Sequence, residues 1–515
     1  MQLPELLRAP RASLVRLVFV VLALASALLA AACVETRLNR ALKTLDQIQT
    51  LDQRSAYLKV HMKDGQLYLL SKWQVNDAAR QVSGEGERFG LARDTMGPGF
   101  FMLALDDVAL LETNVLQRSP SAAALAVITG VSVAVTAFCI ANPKACFGSC
   151  PTFYVSDGKD AVLQAEGFSS SVAPSLEARD VDALYRVHPH GREFIVTMKN
   201  EALETHVVRH VRLLAADRPP GGRVMATVAG AFHEATDVRA VQACWADEGD
   251  CSAKVQAFDS DERFSFTDGK DLARREVVDL QLPAADGPRG LVLAFRQTLA
   301  STYLFYQSLA WLGRSASDTL AALERGDRLV GGAFTRLRDA VGGIEVFAET
   351  GGGHWVPAGE VREMGPLATD VVVVPLPADA TGRIRLRLAR GHWRIDYLAS
   401  TRLGARAEPL AIEPRSVAGA RTFQPARGPL VTRPGDVYTY AFSLPPDAGR
   451  YELFLETQGY YLEWMRDEWL SEENPARAAL LVLNPEQLLR DVAPEFKEQE
   501  ARMETLFWGS KYARR

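Results

Sequence analysis

A chain of 515 residues is too long for a single hydrophobic core, and at about 100–200 residues per unit it predicts roughly three units. With 48% hydrophobic and 23% charged residues, the composition excludes both wholesale disorder and a polytopic membrane protein. The formal net charge of −5 becomes about −7 once the first 33 residues, with three Arg against one Glu, are set aside, which argues against a nucleic-acid partner.

The N-terminus bears on compartment. Arg8, Arg11 and Arg16 precede Leu17–Ala32, a 16-residue uncharged run rich in Leu, Val and Ala, the layout of a secretory signal. The run ends Ala30-Ala31-Ala32-Cys33, which resembles the lipobox of bacterial lipoproteins, where the cysteine is acylated and becomes the new N-terminus. Ala30 stands where that motif usually has Leu, so an ordinary A-x-A cleavage with soluble secretion, or an uncleaved anchor, are the competing readings. Val34 follows the cysteine in place of the Asp that retains many lipoproteins at the inner membrane, so the outer membrane is favoured. The expected membrane contact is thus a lipid on Cys33.

Five cysteines follow: Cys139, Cys146, Cys150, Cys244 and Cys251. Outside the cytoplasm such spacings read as disulfides. Cys244 and Cys251 bracket a short polar turn and are expected to bond. The first three allow one further bridge, with Cys146–Cys150 among its three pairings. A zinc site would need a fourth ligand, and no C-x-x-C pair is present. Residues 122–141 are twenty residues without a charge, long enough to span a bilayer, but dominated by Ala and Val and broken by Thr129, Gly130, Ser132 and Thr136. A buried helix or hairpin is the preferred reading, and a second membrane span the alternative.

In chain order, Leu38, Leu42, Leu45, Ile48 and Leu51 recur at three- and four-residue spacing, which predicts a helical linker over 34–56. A period of two then begins at Tyr57, and a small β-domain is expected over 57–117. The apolar segment and cysteine cluster fill 118–150. A hairpin follows, around the turn Ser156-Asp157-Gly158-Lys159. Here the run Cys150-Pro151-Thr152-Phe153-Tyr154-Val155-Ser156-Asp157-Gly158, with Asn200-Glu201-Ala202-Leu203-Glu204-Thr205 some forty residues on, resembles a module of uncharacterised bacterial exported lipoproteins. The resemblance covers about residues 146–220, implies an extracytoplasmic β-sandwich, and brings no known activity.

A sandwich-like domain is therefore expected over 151–290, a helical segment over 291–335, a second sandwich over 336–460 and helices over 461–515. Residues 299–313 are apolar nearly all round, as in a helix buried between other elements. Ser315 or Ser317 would cap the next helix, which stops at Gly326. The expected class is mainly β with α segments, an α+β fold.

Several constellations could carry chemistry. His188, His190, His206 and His210 fall close together, but no carboxylate stands at a recognised ligand spacing, so surface histidines are the plainer reading. There is no G-x-S-x-G pentapeptide, and Gly351-Gly352-Gly353-His354 lacks the Lys of a phosphate loop and reads as a hairpin tip. Arg383, Arg385 and Arg387 line one strand face, either as an anion-binding stripe or as a solvated face paired with acids. Tyr460, Glu463 and Trp464, with Tyr461, Asp467, Glu468 and Trp469, offer aromatics beside carboxylates, as a sugar groove or glycosidase requires. Tyr461, Trp464 and Met465 also recur at the spacing of a packed helix. The sequence favours an envelope lipoprotein that binds or scaffolds another envelope protein or a polysaccharide, with no catalytic group and no cofactor. A polysaccharide- or cell-wall-acting hydrolase and a membrane protein with two spans are the alternatives.

Overall fold

A computed structural model describes residues 35–43, 45–62, 66–89, 95–119, 150–156, 161–189, 191–202, 204–362, 365–419, 429–433, 435–463, 469–470 and 472–510. Cys33, Cys139, Cys146, His190, Trp464, Asp467, Glu468 and the apolar segment 122–141 lie outside these residues. No helix among the described residues is long and apolar enough to cross a membrane. The chain is mainly β with a helical minority, the α+β class expected from sequence.

Residues 35–119 form one antiparallel six-stranded sheet. The period of two from Tyr57 works as expected: Leu58, Val60, Leu70 and Val82 reach one face and are fully buried, covered by Ile48 of the short helical turn Leu45–Thr50 and by Leu51 just after it. The expected helical linker is not a helix. Glu35–Lys43 is a strand, paired residue by residue with Val108–Ser119. An available sheet edge gives nine residues their backbone partners, and this tertiary pairing overrides a helical spacing that is only a weak prior.

Two β-sandwiches follow, nested rather than consecutive. In the first, one sheet is ordered Ser416–Gly419, Val437–Ser443, Glu193–Lys199, Thr152–Ser156, Ala161–Glu166. The facing sheet is Leu410–Ile412, Glu204–Asp217, Tyr451–Glu463, Ala178–Ala183. Phe153, Val196 and Phe442 from one sheet meet Val211, Leu213 and Leu455 from the other in a shared core. The second sandwich is built wholly from strands within residues 223–407, inserted between the two halves of the first. Its central strand Arg289–Gln297 is buried on both faces. Leu291, Leu293 and Phe295 point into its own core, while Val292 and Ala294 pack with Leu214 and Phe454 of the first sandwich. Four β-layers result.

The disulfide Cys244–Cys251 is present, both cysteines buried, at the base of the hairpin made by Ala243–Ala246 and Gly249–Asp250. Closing so short a loop restricts the unfolded chain, so Cys251→Ser is expected to cost about 2.5 kcal/mol. Urea denaturation with and without reductant checks this: reduced wild type and variant should coincide, and a variant as stable as the oxidised wild type would refute it.

The helices form a fifth, separate layer. Between strands Arg289–Gln297 and Ile344–Thr350 lie α1 (Leu299–Leu312), α2 (Ala316–Glu324) and α3 (Arg328–Val341). The C-terminal region adds α4 (Pro475–Leu483) and α5 (Pro485–Gly509). Thr298 caps α1 by accepting from the Ala300 N–H, and Asp327 caps α3 by accepting from the Leu329 and Val330 N–H groups. Ser315 precedes α2 without capping it, since its hydroxyl donates back to the Leu312 carbonyl at 2.7 Å. As its all-round apolarity predicts, α1 is buried, with Tyr303, Leu304 and Trp311 against Leu488, Leu489 and Phe496 of α5.

Candidate functional site: an apolar cavity under three helices

Helix α3 carries Val330, Ala333, Phe334, Leu337 and Val341 along one stripe, at the spacing that normally buries a helix face. Only Ala333 is buried; the other four remain half-exposed. The stripe faces a cavity of about 270 Å³ whose other walls are the inward side of α1, Leu320 and Leu323 of α2, and Val172, Trp393 and Tyr461 from the sandwiches. Leu337 and Val341 also pack against the core shared by α1 and α5, so the helix face is partly covered and partly borders the cavity, at a junction between packed units where ligand pockets recur.

The topology fixes the cavity's orientation. Strand Arg289–Gln297 ends at Gln297, which is the register partner of Trp393. Strand Ile344–Thr350 begins opposite Val361. Helix α1 therefore leaves, and α3 returns, at one end of the second sandwich. Gln297, Arg338, Trp393 and Arg362 gather at this end, while Leu309, Leu312, Leu320 and Leu323 line the far end among the helices.

Polar groups in the walls of α1 are spent internally. Ser301 donates to the Thr298 carbonyl at 3.0 Å and Ser308 to the Leu304 carbonyl at 2.7 Å. The Tyr461 hydroxyl donates to the Ser169 carbonyl at 2.8 Å. At the sandwich end Arg362 pairs with Asp339 and Glu360, each at 3.0 Å. The Arg338 side chain pairs with Asp339 at 3.7 Å, and its carbonyl accepts from the Gly342 N–H that ends α3.

The residues singled out by sequence fall elsewhere, with one exception. Arg383, Arg385 and Arg387 are each neutralised by an acid on a neighbouring strand, Glu349, Asp279 and Glu345, and the first two lie over the Trp355 ring. They form a paired, solvated face, with no open anion stripe. Tyr460 and Tyr461 belong to the strand Tyr451–Glu463, not to a C-terminal helix, and both are buried. Tyr461 reaches the cavity wall, whereas Glu463 ends the strand opposite Glu204. Trp469 packs against Tyr306, ring centroids 5.0 Å apart.

The histidines do not converge: His188 is exposed, His206 bonds Glu204 at 2.5 Å and His210 bonds Glu456 at 3.1 Å. Among the described residues no group of His, Cys, Asp and Glu has the geometry to hold a metal ion. Cys150 is buried, its N–H donating to Glu204 at 2.7 Å and its sulfur 3.4 Å from Glu166. Gly352 and Gly353, both at positive φ, make the expected hairpin tip.

Sequence reasoning passed over α3. The Asp327 cap and the stripe from Val330 to Val341 were the available signal, interrupted by Gly331-Gly332, which lowers helix propensity by about 1 kcal/mol per residue. No family model, curated protein or solved structure matches the chain.

Proposed function

We propose that this chain is an exported lipoprotein of the bacterial envelope, acylated on Cys33, whose β-body serves as a binding protein for an apolar ligand held beneath α1, α2 and α3. The basic n-region, the uncharged run and the terminal cysteine support the tether, and the Cys244–Cys251 bond suits an oxidising compartment. The resemblance of residues 146–220 to exported lipoprotein modules points the same way. The observation that carries the binding role is the apolar cavity of about 270 Å³ bordered by the half-exposed stripe of α3. Leaving several large apolar side chains half-exposed forgoes burial energy of about 25 cal/mol per Å², which a ligand would recover.

The test uses a neutral dye that fluoresces in apolar surroundings, titrated into wild type and Leu323→Trp, whose indole would occupy the far end of the cavity. One dye per chain is expected for wild type, with at least tenfold weaker binding to a variant whose thermal midpoint is unchanged. Absence of binding to wild type, or equal binding to a folded variant, would sink the proposal. Labelled palmitate should enter wild type and not Cys33→Ser.

A further inference from the structure

We infer that the strand Thr95–Ala104 is a docking edge for a second copy of this chain, the two copies joining as antiparallel strands about a two-fold axis at Phe101. The inference is independent of the cavity and of anything it holds.

The backbone comes first. Thr95–Ala104 is the last strand of the six-stranded sheet, and among the described residues no strand pairs with its outer edge. The Leu105 N–H donates to the Arg80 carbonyl at 2.9 Å, which sets the phase of the ladder. Leu103 and Phe101, in register with Val82 and Gly84, therefore turn their N–H and C=O groups toward the neighbouring strand. The alternate residues Phe100 and Met102 turn theirs to the open edge. Pro98 shares that outward phase, where a missing N–H costs no ladder bond. Gly97, at positive φ, and Pro98 blunt one end of the edge, as sheets commonly do, and the six residues Gly99–Ala104 are left open.

Side chains single out the same stretch. Phe101 and Leu103 join the core of this sheet, so Pro98, Phe100, Met102 and Ala104 share the opposite face. All four are apolar and exposed, Phe100 at 64% and Met102 at 62%. An apolar row beside unpaired backbone is a template for another strand.

A second copy fits this edge in register and in charge. Pairing about Phe101 sets Phe100 against the copy's Met102, and Met102 against its Phe100, so the open donors and acceptors of each meet those of the other. Each ring also gains a thioether neighbour. The acids stay apart: Glu85 is in register with Phe100 and Glu87 with Pro98, so across the joint they face the copy's Ser83 and Gln81, the partners of Met102 and Ala104. Such self-complementarity is what a two-fold contact requires. A lipid surface fits less well, because exposed Glu85 and Glu87 stand beside the apolar row on the same face. Six residues a side cover less than about 1,200 Å², so the dimer is weak, with a Kd between about 1 and 100 µM.

The test uses the full chain, purified in detergent. Phe100→Cys and Met102→Cys are made separately, at exposed positions, and exposed to a mild oxidant alone and as an equal mixture. In the proposed register the two introduced thiols lie about 5.5 Å apart between Cα atoms, within reach of a disulfide, whereas in either variant alone they are two residues out of step. The mixture should cross-link at least fivefold more than either variant by itself. Sedimentation equilibrium should show wild type passing from monomer to dimer with concentration, and Phe100→Lys, with an unchanged thermal midpoint, dimerising at least tenfold more weakly. Wild type still monomeric at about 500 µM would overturn the proposal. A dimer indifferent to Phe100→Lys would place the contact on another face, and equal cross-linking in all three samples would refute the register. Monomeric wild type that floats with phosphatidylethanolamine vesicles, and loses this in Phe100→Lys, would assign the edge to lipid instead.

Discussion

Replacing Arg394 by methionine is expected to destabilise the body by about 3–5 kcal/mol, the usual consequence of leaving a buried charge without its partner. Arg394 lies at the start of the strand Trp393–Ala407, an interior strand of the second sandwich, and is 1% exposed. It pairs with Glu504 of α5, and it lies beneath the Phe507 and Trp508 rings, 4.7 and 4.8 Å from their centroids. Alongside it Arg296 meets Glu262 at 2.6 Å and donates to the Leu367 carbonyl at 2.7 Å. Four charges from two sandwich strands, a loop and α5 are thus withdrawn from water together, and they fix the C-terminal helix to the sheet. Because Glu504 would lose its cation, Arg394→Met with Glu504→Leu should recover much of the loss. Urea unfolding of the two single variants and the double variant measures the coupling. A single-variant cost below 1 kcal/mol would mean that the ion pairs do not anchor α5.

A second large effect concerns acid. His392 is buried beside that network and its Nε2 hydrogen-bonds the Leu272 carbonyl at 2.9 Å. Burial pushes its pKa down to about 4; the bond to Leu272 opposes this and the charge of Arg275 adds to it. Folding lowers the affinity of this base for a proton. Its contribution is therefore fully present above the unfolded value near 6.5 and is lost as pH falls toward 4, an effect of about 3 kcal/mol. Asp370 and Asp396 run the other way. Burial raises both to about 6, so each favours the folded state in acid and costs stability as pH rises from about 4 through 6. The wild-type profile is a partial cancellation, and comparison with His392→Asn isolates the histidine. The variant's disadvantage at pH 7 should shrink by about 3 kcal/mol at pH 4, in chemical denaturation at both values. A pH-independent difference would show that His392 titrates normally in the fold.

What could be read from the sequence depended on whether a residue's partner was near in the chain. The period of two from Tyr57 and the turn at Ser156-Asp157-Gly158-Lys159 announced their own strands, and the apolar surround of α1 announced a buried helix. The Cys244–Cys251 bridge was legible because both thiols flank one turn. Nesting was not legible, since periodicity says that Glu204–Asp217 is a strand but not that Tyr451–Glu463 pairs with it. Glu35–Lys43 misled for a related reason: a leucine spacing fits a free helix until a sheet edge competes for the backbone. Tyr461 looked like the start of a helix, and the long register with Glu204–Asp217 made it core instead. The cavity was hardest to see, because each of its walls reads locally as ordinary core. Only assembly shows that the stripe on α3, packed at Leu337 and Val341 against the helical core, still borders open space along part of its length.

A binding role requires that the space under α1, α2 and α3 be occupied in the cell. Mass spectrometry under non-denaturing conditions, on protein purified from native envelopes, tests this most directly. We expect one noncovalent adduct per chain of the mass of a small apolar molecule, beyond any covalent acylation, and its absence in Leu323→Trp. Bare protein of covalent mass alone, from preparations that also refuse the neutral dye, would contradict it.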